Sequence, residues 1–394
     1  YIKILHYMNN KIYLPSVRSK VDSFYVMSLL EKASELEKKG KEIFHFELGE
    51  PIESTPGPIK KKINMLISSN VSGYTASNGI LKLRKNISYF YEKNYKIKIN
   101  PEQIFITTGS SGAFLLSFMS VFDPGKKVGI FNPVYPAYRN ILKSLNIEIV
   151  EIYPPSNATD TIEISMVEKF SHLDGLVISN PNNPNGQVFS ENELKYLYEF
   201  CEKNKIVIIS DEIYHRIEYS KNSKTMLNFG PKTIVINSFS KYFCMPGWRL
   251  GWAIVPIEIK DNFLKLAQNL FISSGNIAQY SALDVFNHTQ YFDNIVKEYQ
   301  KNLDFINAEL STIEKISFKK PKGAFYFYIN TSKLGMNSIE LSEKILSETG
   351  VVLTPGIDFD KKNGSNYLRL AFSGNGKLVE QGIKKLKVWL LKNY

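Results

Sequence analysis

Apolar residues between positions 101 and 255 fall in short runs separated by longer stretches of helical periodicity. The runs are rich in Val, Ile, Leu and Phe, and a stretch such as Glu191–Lys203 places its apolar residues on one helix face. Apolar strands that alternate with helices are typical of a mostly parallel sheet covered on both faces. The pattern predicts an α/β domain with seven strands: Ile104–Thr108, Val128–Phe131, Ile147–Ile152, Leu176–Ser179, Ile206–Ser210, Thr233–Asn237 and Leu250–Val255.

The pattern changes after about residue 290. A long helical stretch, Tyr291–Leu310, is followed by a mixture of strands and helices that is typical of an α+β domain. The predicted elements are strands Phe325–Ile329 and Tyr367–Phe372 and helices Ser338–Ser347 and Lys377–Leu391. We expect a large domain over residues 47–295 and a smaller one built from residues 1–46 and 296–394, with an N-terminal helix over residues 23–39.

Three motifs follow predicted strands, where parallel sheets bind their ligands. Residues 107–113, Thr-Thr-Gly-Ser-Ser-Gly-Ala, open a helix and so suit a phosphate, although an ordinary capped helix start is the plainer explanation. Residues 180–186, Asn-Pro-Asn-Asn-Pro-Asn-Gly, form a rigid turn that is either a plain loop or aims an Asn into a cleft. Residues 210–214, Ser-Asp-Glu-Ile-Tyr, offer either a helix N-cap or a carboxylate for a cationic ring nitrogen, with Tyr214 as hydroxyl donor.

Two further motifs contain a basic residue in unusual surroundings. Lys241 lies among aromatic and small residues in 238–251, where burial and a nearby cation would lower its pKa and leave the neutral amine that Schiff-base chemistry needs. Arg249 follows eight residues later. Arg369 lies inside the alternating strand 367–372, either as an edge charge or as a fork for a substrate carboxylate.

Composition excludes several classes of protein. Of 394 residues 43% are apolar and 22% charged, which argues against a disordered or disulfide-dense chain. Two cysteines indicate a reducing compartment, and the five histidines lack metal-ligand spacing. The sequence contains no apolar run of membrane length, and its first ten residues have too little apolar length for a signal peptide, so we expect a cytoplasmic protein without membrane or metal. The chain begins at Tyr1, and a true start at Met8 and a fragment both stay open.

The net charge of +11 admits nucleic acid as a partner, but the lysines are dispersed, and the longest run is Lys60-Lys61-Lys62. Solvated helix faces are the better explanation, and we expect no nucleic acid. Only six of the 49 basic residues are arginines, which directs attention to tasks that need a planar, two-pronged donor. They are Arg18, Arg84, Arg139, Arg216, Arg249 and Arg369.

Taken together and in this order, the motifs resemble those of the class I/II aminotransferases of fold type I, the pyridoxal 5′-phosphate enzymes related to aspartate aminotransferase. The resemblance covers about Phe46 to Phe372, and the combination of motifs is specific although each alone is weak. Cys244 departs from the pattern, since its position usually holds a small non-thiol residue. The resemblance implies the fold type I architecture.

The resemblance also implies site residues. Lys241 matches the Schiff-base lysine, and Asp211 matches the carboxylate that keeps the pyridine nitrogen protonated. Tyr214 and Asn183 match the groups that hydrogen-bond the ring 3′-oxygen, and Tyr135 matches an aromatic ring stacked on the cofactor. The residues that match the phosphate contacts are Ser110, Ser111, Ser238, Ser240 and Arg249.

Substrate and partner contacts follow from the same resemblance. Gly49, Asn183 and Arg369 match residues that bind the substrate carboxylate. Tyr74 matches a tyrosine that reaches the phosphate of the neighbouring subunit, so a homodimer is implied. The implied reaction moves an amino group from an L-amino acid to a 2-oxo acid, with Lys241 as base and then acid.

Two other functions share parts of this pattern. C–S β-lyases have the same fold and cofactor motifs, so the fold cannot separate them. A ligand-sensing regulator with an aminotransferase-like domain carries an N-terminal DNA-binding domain, and about 45 residues before Gly49 are too few for one.

Dicarboxylate specialists often use a second arginine, but none lies between Arg249 and Arg369, and Ser111 replaces a lysine of some relatives. We expect neutral or aromatic donors, with 2-oxoglutarate as acceptor.

Overall fold

A computed structural model of the chain describes residues 14–51, 55–67, 73–153, 167–220 and 223–394. The helices are α1 Tyr25–Lys38, α2 Gly57–Ile67, α3 Leu81–Tyr95, α4 Gly109–Val121, α5 Ala137–Ser144, α6 Glu191–Asn204, α7 Lys260–Phe271, α8 Asn276–Ala282, α9 Thr289–Leu310, α10 Ser338–Thr349 and α11 Gly376–Asn393. The strands are β1 Phe44–His45, β2 Ile104–Thr107, β3 Lys127–Phe131, β4 Glu148–Ile152, β5 Gly175–Ser179, β6 Val207–Asp211, β7 Thr233–Ser238, β8 Gly251–Ile254, β9 Tyr326–Asn330, β10 Val351–Val352, β11 Thr354–Pro355 and β12 Tyr367–Ala371.

A seven-stranded sheet forms the centre of the molecule, in the order β2-β8-β7-β6-β5-β3-β4. Only β8 runs against the other strands of this sheet, since it pairs antiparallel with both β2 and β7. The prediction of a mostly parallel, helix-covered sheet is confirmed, and each predicted strand lies within one residue of an observed one. The parallel direction brings the carboxyl ends of β5, β6 and β7 to one edge.

The central strands are apolar throughout because both faces of the sheet are buried. Along β6, Ile208 belongs to one apolar cluster and Ile209 to another on the opposite face, and Leu176 and Val177 of β5 divide in the same way. A fully buried side chain of this size contributes roughly 1.5–3 kcal/mol of transfer free energy. Burial on both faces explains why these strands show no period-two alternation in the sequence.

Two small sheets accompany the last hundred residues. Strands β11, β12 and β9 form an antiparallel sheet in which Arg369 lies opposite Tyr328 and Thr354. The N-terminal β1 pairs in parallel with β10, with Phe44 opposite Val351. Residues 44–45 therefore lie beside the C-terminal part of the chain, although the domain boundaries stay a prediction.

Local capping groups define the ends of the helices. Ser190 and Glu193 form a reciprocal capping box at the start of α6. At α10, the Asn337 side chain accepts from the backbone N–H of residues 339 and 340, and Gly350 ends the helix with a φ of 78°. None of the described helices is both long and apolar enough to cross a membrane.

Candidate active site

Lys241 follows the carboxyl end of β7 by three residues. Its Nζ donates a hydrogen bond of 2.6 Å to the Gly49 carbonyl oxygen and lies 6.0 Å from the centroid of the Tyr214 ring. Three residues that lie far apart in the chain thus meet at the lysine amine. Gly49 comes from the segment after β1, whereas Tyr214 comes from the turn after β6.

The surroundings of Lys241 favour its neutral form. Burial lowers the pKa of Lys241 to about 8, and the cation of Arg369 acts in the same direction. The acid Glu50 opposes this change. A lysine whose pKa lies this close to neutrality presents a usable fraction of free amine, which is what attack on a carbonyl carbon requires.

Asp211 is the last residue of β6 and is 4% exposed. Its carboxylate accepts hydrogen bonds from the Tyr138 hydroxyl and from the backbone N–H of Ile213, the latter at 3.0 Å. Burial raises the pKa of Asp211 to about 6 against the effect of these donors. A buried acid of this kind is stabilised as an anion by a cation placed beside it.

A second group of polar side chains lies at the edge formed by β7, β8 and the start of α4. The hydroxyls of Ser238 and Ser240 lie 2.8 Å apart, and Ser238 pairs with Gly251 across the strands. A Cβ on Gly251 would fall 2.9 Å from the backbone nitrogen of Ser110. Gly251 therefore allows the helix start to approach β8, next to these serines. N–H groups in the first turn of a helix are free to bind an anion.

Arg249 joins the same group. Its backbone is in the left-handed region, with a φ of 49°, and a Cβ on Gly109 would fall 2.6 Å from its Nη2. The guanidinium therefore lies directly against the first residue of α4, beside Ser110. Ser111 is exposed at the next helix position. A cation, hydroxyls and a helix N-terminus together make a site suited to a phosphate.

Arg369 on β12 forms a buried fork on the other side of Lys241. Its Nη1 donates 3.0 Å to Asn183 Oδ1, and its Nη2 donates 2.5 Å to the Glu47 carbonyl oxygen. Its Nε is buried and has no hydrogen-bond partner among the described residues. An arginine that keeps an unpaired buried donor beside an amide can take up a carboxylate.

Aromatic rings enclose this part of the site. The Tyr135 ring contacts Tyr138 edge-on at 5.6 Å, and burial raises the Tyr135 pKa, with Asp211 acting in the same direction. The rings of Tyr326 and Phe359 lie 4.5 and 4.6 Å from the Arg369 guanidinium carbon. These rings exclude water from the charges between them.

Two of these residues, Tyr138 and Tyr326, were not predicted from the sequence. The sequence signal for Tyr138 is its closeness to Tyr135, which it follows by three residues at the start of α5. Tyr326 is one aromatic residue within the apolar run of β9, and no local pattern distinguishes it. Only the folded chain places its hydroxyl 2.7 Å from that of Tyr214.

Tyr74 differs from the other predicted residues because it is 84% exposed. Cys244 is buried at a φ of 53°, a region in which bulky side chains are strained. That conformation gives a physical reason for a small residue at this position. Among the described residues there is no group of three or more His, Cys, Asp or Glu side chains that could hold a metal ion.

Comparisons with known proteins define the family. The model of the family "Aminotransferase class I and II" matches residues 43–386. The valine–pyruvate aminotransferase of Mycobacterium tuberculosis is 33% identical over 95% of this chain and 98% of its own length. The (5-formylfuran-3-yl)methyl phosphate transaminase of Methanocaldococcus jannaschii is 35% identical over 94% of this chain and 98% of its own length.

Solved structures agree with this relationship. The crystal structure of an aminotransferase from Mycobacterium tuberculosis superposes with a TM-score of 0.93 at 32% identity, covering 96% of this chain and all of that one. The chain belongs to the class I and II aminotransferases, a pyridoxal-phosphate-dependent family, and it is an aminotransferase. The resemblance noted in the sequence is therefore confirmed.

Proposed function

We propose that Lys241 binds pyridoxal 5′-phosphate covalently and that the surrounding residues use it to move an amino group from a neutral or aromatic L-amino acid to a 2-oxo acid. The observation that carries the proposal is the position of Lys241 between the buried acid Asp211 and the buried guanidinium of Arg369. The charges of both residues change the pKa of Lys241. The residues present fit the cofactor. Among the residues that the structure describes none forms an ion pair with Asp211, on whose pKa the Lys241 cation acts only from a distance, and the polar group around Ser238 suits an anion.

When bound, the cofactor supplies an aldehyde that condenses with amines and a pyridine ring that withdraws electrons. Asp211 would hold the pyridine nitrogen in its cationic form. Tyr214 and Asn183 would hydrogen-bond the ring 3′-oxygen, and Tyr135 would cover one ring face. The residues that would hold the phosphate are Ser110, Ser111, Ser238, Ser240 and Arg249.

The chain's own acid–base chemistry centres on the Lys241 amine. Once an amino-acid donor has displaced it, the Nζ would take up the proton that leaves the substrate Cα and then deliver it to the carbon that had carried the cofactor aldehyde, as base and then as acid. Arg369 and Asn183 would grip the substrate carboxylate, with Gly49 beside them, and so align the Cα–H bond with that amine. The hydrogen bond from Nζ to the Gly49 carbonyl supports this arrangement, because it brings the amine to the segment that we assign to the substrate carboxylate.

Substrate class follows from the charges around the fork. Three described arginines lie in this region: Arg369 is enclosed by the Tyr326 and Phe359 rings, Arg249 lies against Gly109, and Arg139 is paired with Glu151 behind Phe359. This arrangement supports a neutral or aromatic side chain over a second carboxylate. The name of the valine–pyruvate relative supports a neutral donor. The crystal structure of a relative from Methanococcus jannaschii, 35% identical, is described as similar in its active site to kynurenine aminotransferases. We propose 2-oxoglutarate as the acceptor.

Absorbance tests the proposal directly. Purified protein given the cofactor should gain the visible band of a lysine-linked aldehyde, and Lys241→Ala should lose it together with at least ~10³-fold of turnover. Lys126→Ala, which removes an exposed lysine paired with Asp174, is the matched control and should keep both. A wild-type protein that stays colourless with the cofactor would contradict the proposal.

A donor panel tests the substrate class and the reaction type. Valine, leucine, methionine, phenylalanine, alanine and aspartate are compared, with 2-oxoglutarate and pyruvate as acceptors. Brisk turnover of aspartate with failure of the other donors would reject the substrate class. Release of pyruvate and ammonia from a cysteine conjugate, without amino transfer, would show a C–S β-lyase instead.

We propose a homodimer in which Tyr74 acts in the neighbour's site. Support comes from its 84% exposure and from exposed apolar side chains nearby in the fold, including Met65 and Ile67 of α2, which packs against α8. Asn276 at the start of α8 donates to the Gly73 carbonyl, and so holds the Tyr74 segment on this face. The two free, buried cysteines agree with a cytoplasmic location, which we also propose.

Hybrid dimers separate this proposal from a structural role of Tyr74. Tyr74→Ala and Lys241→Ala are each expected to lose most activity alone. If the two variants are mixed under conditions of subunit exchange, activity should return to about a quarter of the wild-type value, because half the dimers then hold one intact site. No recovery on mixing, with exchange verified, would contradict a shared site.

A further inference from the structure

Tyr326 touches three residues to which the proposed function gives a role. Its hydroxyl oxygen lies 2.7 Å from that of Tyr214, and its ring centroid lies 4.5 Å from the Arg369 guanidinium carbon. A Cβ built on Gly49 would fall 1.7 Å from the same Tyr326 hydroxyl. Gly49 must therefore lack a side chain because Tyr326 occupies that space. Tyr326 thus contacts both Tyr214, which lies near Lys241, and Arg369, which we assign to the substrate carboxylate.

The strand pairing fixes the position of Tyr326. Tyr326 is the first residue of β9 and pairs with Ala371 of β12. Ala371 follows Arg369 by two residues on β12. The side chain is 1% exposed, and its ring also meets Phe325 at 5.0 Å. A buried hydroxyl is costly to leave unpaired, so it keeps its protein hydrogen-bond partner.

We propose that Tyr326 is a positioning residue of the aminotransferase reaction: its hydroxyl donates to Tyr214, and its ring face holds the Arg369 fork. The proposal rests on the proposed function, which assigns Tyr214 to the 3′-oxygen of the cofactor and Arg369 to the substrate carboxylate. It adds a residue that acts on both groups at once.

The number of protons fixes the direction of the hydrogen bond. A tyrosine hydroxyl carries one proton, and Tyr214 uses it when it donates to the 3′-oxygen. The proton in the contact between the two tyrosines must then come from Tyr326. A hydroxyl that accepts a hydrogen bond becomes a better donor, so Tyr326 strengthens the donation that Tyr214 makes.

The charged groups around this pair are few and stay in place when one hydroxyl is removed. Arg369 and Asp211 bear on Tyr214, and Arg249 and Glu50 bear on Lys241. Tyr326→Phe deletes a single oxygen and keeps the ring over Arg369. Any change in the ionisation of the lysine-linked chromophore then reports the lost hydrogen bond.

A double-mutant cycle tests the hydroxyl by titrating the visible absorbance of the cofactor-loaded protein against pH. Donation to the 3′-oxygen makes the adjacent lysine nitrogen less basic, so Tyr214→Phe should raise the spectral pKa. Tyr326→Phe should raise it by about a third as much, and the double variant should match Tyr214→Phe alone, because Tyr326 acts through Tyr214. Fully additive shifts, or no shift in Tyr326→Phe, would overturn the proposal.

Kinetics test the ring. Tyr326→Phe should leave the KM for the amino-acid donor within about twofold of wild type, whereas Tyr326→Leu should raise it by about fivefold or more, since the cation–ring contact is lost. Tyr328→Phe is the matched control. It lies on the same strand with its hydroxyl 3.4 Å from the Gly356 carbonyl, and it should change neither KM nor spectral pKa. Equal KM values for the Leu and Phe variants would overturn the role of the ring.

The two proposals fail in different ways. A wild-type protein without the visible band on cofactor addition contradicts the proposed function and, with it, the role of Tyr326. A wild-type protein with the band, a shift in Tyr214→Phe and none in Tyr326→Phe contradicts only the inference on Tyr326.

Discussion

Burial alters Lys241 and Asp211 in opposite senses, and both changes bring the side chain into the neutral pH range. The pKa of Lys241 falls to about 8 and that of Asp211 rises to about 6, because each loses hydration of its charged form. A free amine and an acid that needs a cation therefore lie in one site. In the sequence, only the aromatic and small residues around Lys241 indicate that its pKa is lowered. The burial that causes the lower pKa comes from the fold.

Cofactor uptake should follow the ionisation of Lys241. The neutral amine is the nucleophile, so uptake by cofactor-free enzyme should slow about tenfold per pH unit below the lysine pKa and level off above about 8. Rapid-mixing absorbance across this range measures it. In Arg369→Gln the plateau should begin at higher pH, because the cation that lowers the lysine pKa is gone. A rate independent of pH through this range would contradict the prediction.

Strand β1 is two residues long and depends on side-chain contacts as well as on β10. His45 lies 2.8 Å from Glu47 and 3.1 Å from Glu37 of α1, so its ring joins the strand to that helix. The hydrogen bond to Glu47 is the main reason why the pKa of His45 is raised to about 9. The Glu47 backbone carbonyl also receives Arg369, which connects this element to the candidate site.

The contact between His45 and Glu47 should make the thermal stability of the protein depend on pH in a defined range. Because the folded pKa of His45 lies above its unfolded value, the stabilisation is complete below about 6.5 and is lost as pH rises through about 9. We expect the melting temperature to fall by about 1–2 °C over this range, since the ring is partly exposed and screened. His45→Asn should remove this component, and Glu37→Gln should reduce it. An equal slope in wild type and His45→Asn would contradict the assignment.

A buried arginine joins the central sheet to the C-terminal part of the molecule. Arg139 on α5 donates 2.7 Å to Glu151 of β4 and 3.0 Å to the Phe359 carbonyl oxygen. The backbone N–H of Val134 donates to the same carbonyl at 3.1 Å. Since the Phe359 ring packs on Arg369, this junction lies directly behind the carboxylate fork.

Loss of this junction should affect both stability and substrate binding. Arg139→Met removes the only cation paired with Glu151 among the described residues and one of the two donors to the Phe359 carbonyl, and we expect the free energy of unfolding in urea to fall by about 2–4 kcal/mol. The KM for the amino-acid donor should rise severalfold, because Phe359 is no longer held over Arg369.

Arg84→Met is the matched control, since Arg84 is equally buried and pairs with Glu102 and the Gly79 and Pro101 carbonyls away from Lys241. It should destabilise the protein and leave KM unchanged. A similar rise of KM in both variants would show that the effect is general destabilisation.

The strands of the large sheet could be predicted to within one residue because their signal is local. Ile206–Ser210 is apolar at each position before its serine, and this property follows from burial on both faces. The motif residues after β5, β6 and β7 were predicted for the same reason, since parallel strands bring their carboxyl ends to one edge. The resemblance to a known family then assigned roles that the pattern alone left open.

Contacts across long sequence separations needed the folded chain. Arg369 donates to the carbonyl oxygen of Glu47, 322 positions away, and the Tyr214 and Tyr326 hydroxyls meet across 112 positions. Periodicity reports which face of an element is buried, but it does not report which element lies opposite. Apolar periods and turn residues therefore determine the strands and the order of chemical groups along the chain, whereas packing alone decides that Tyr326, Phe359 and the Glu47 carbonyl surround one arginine.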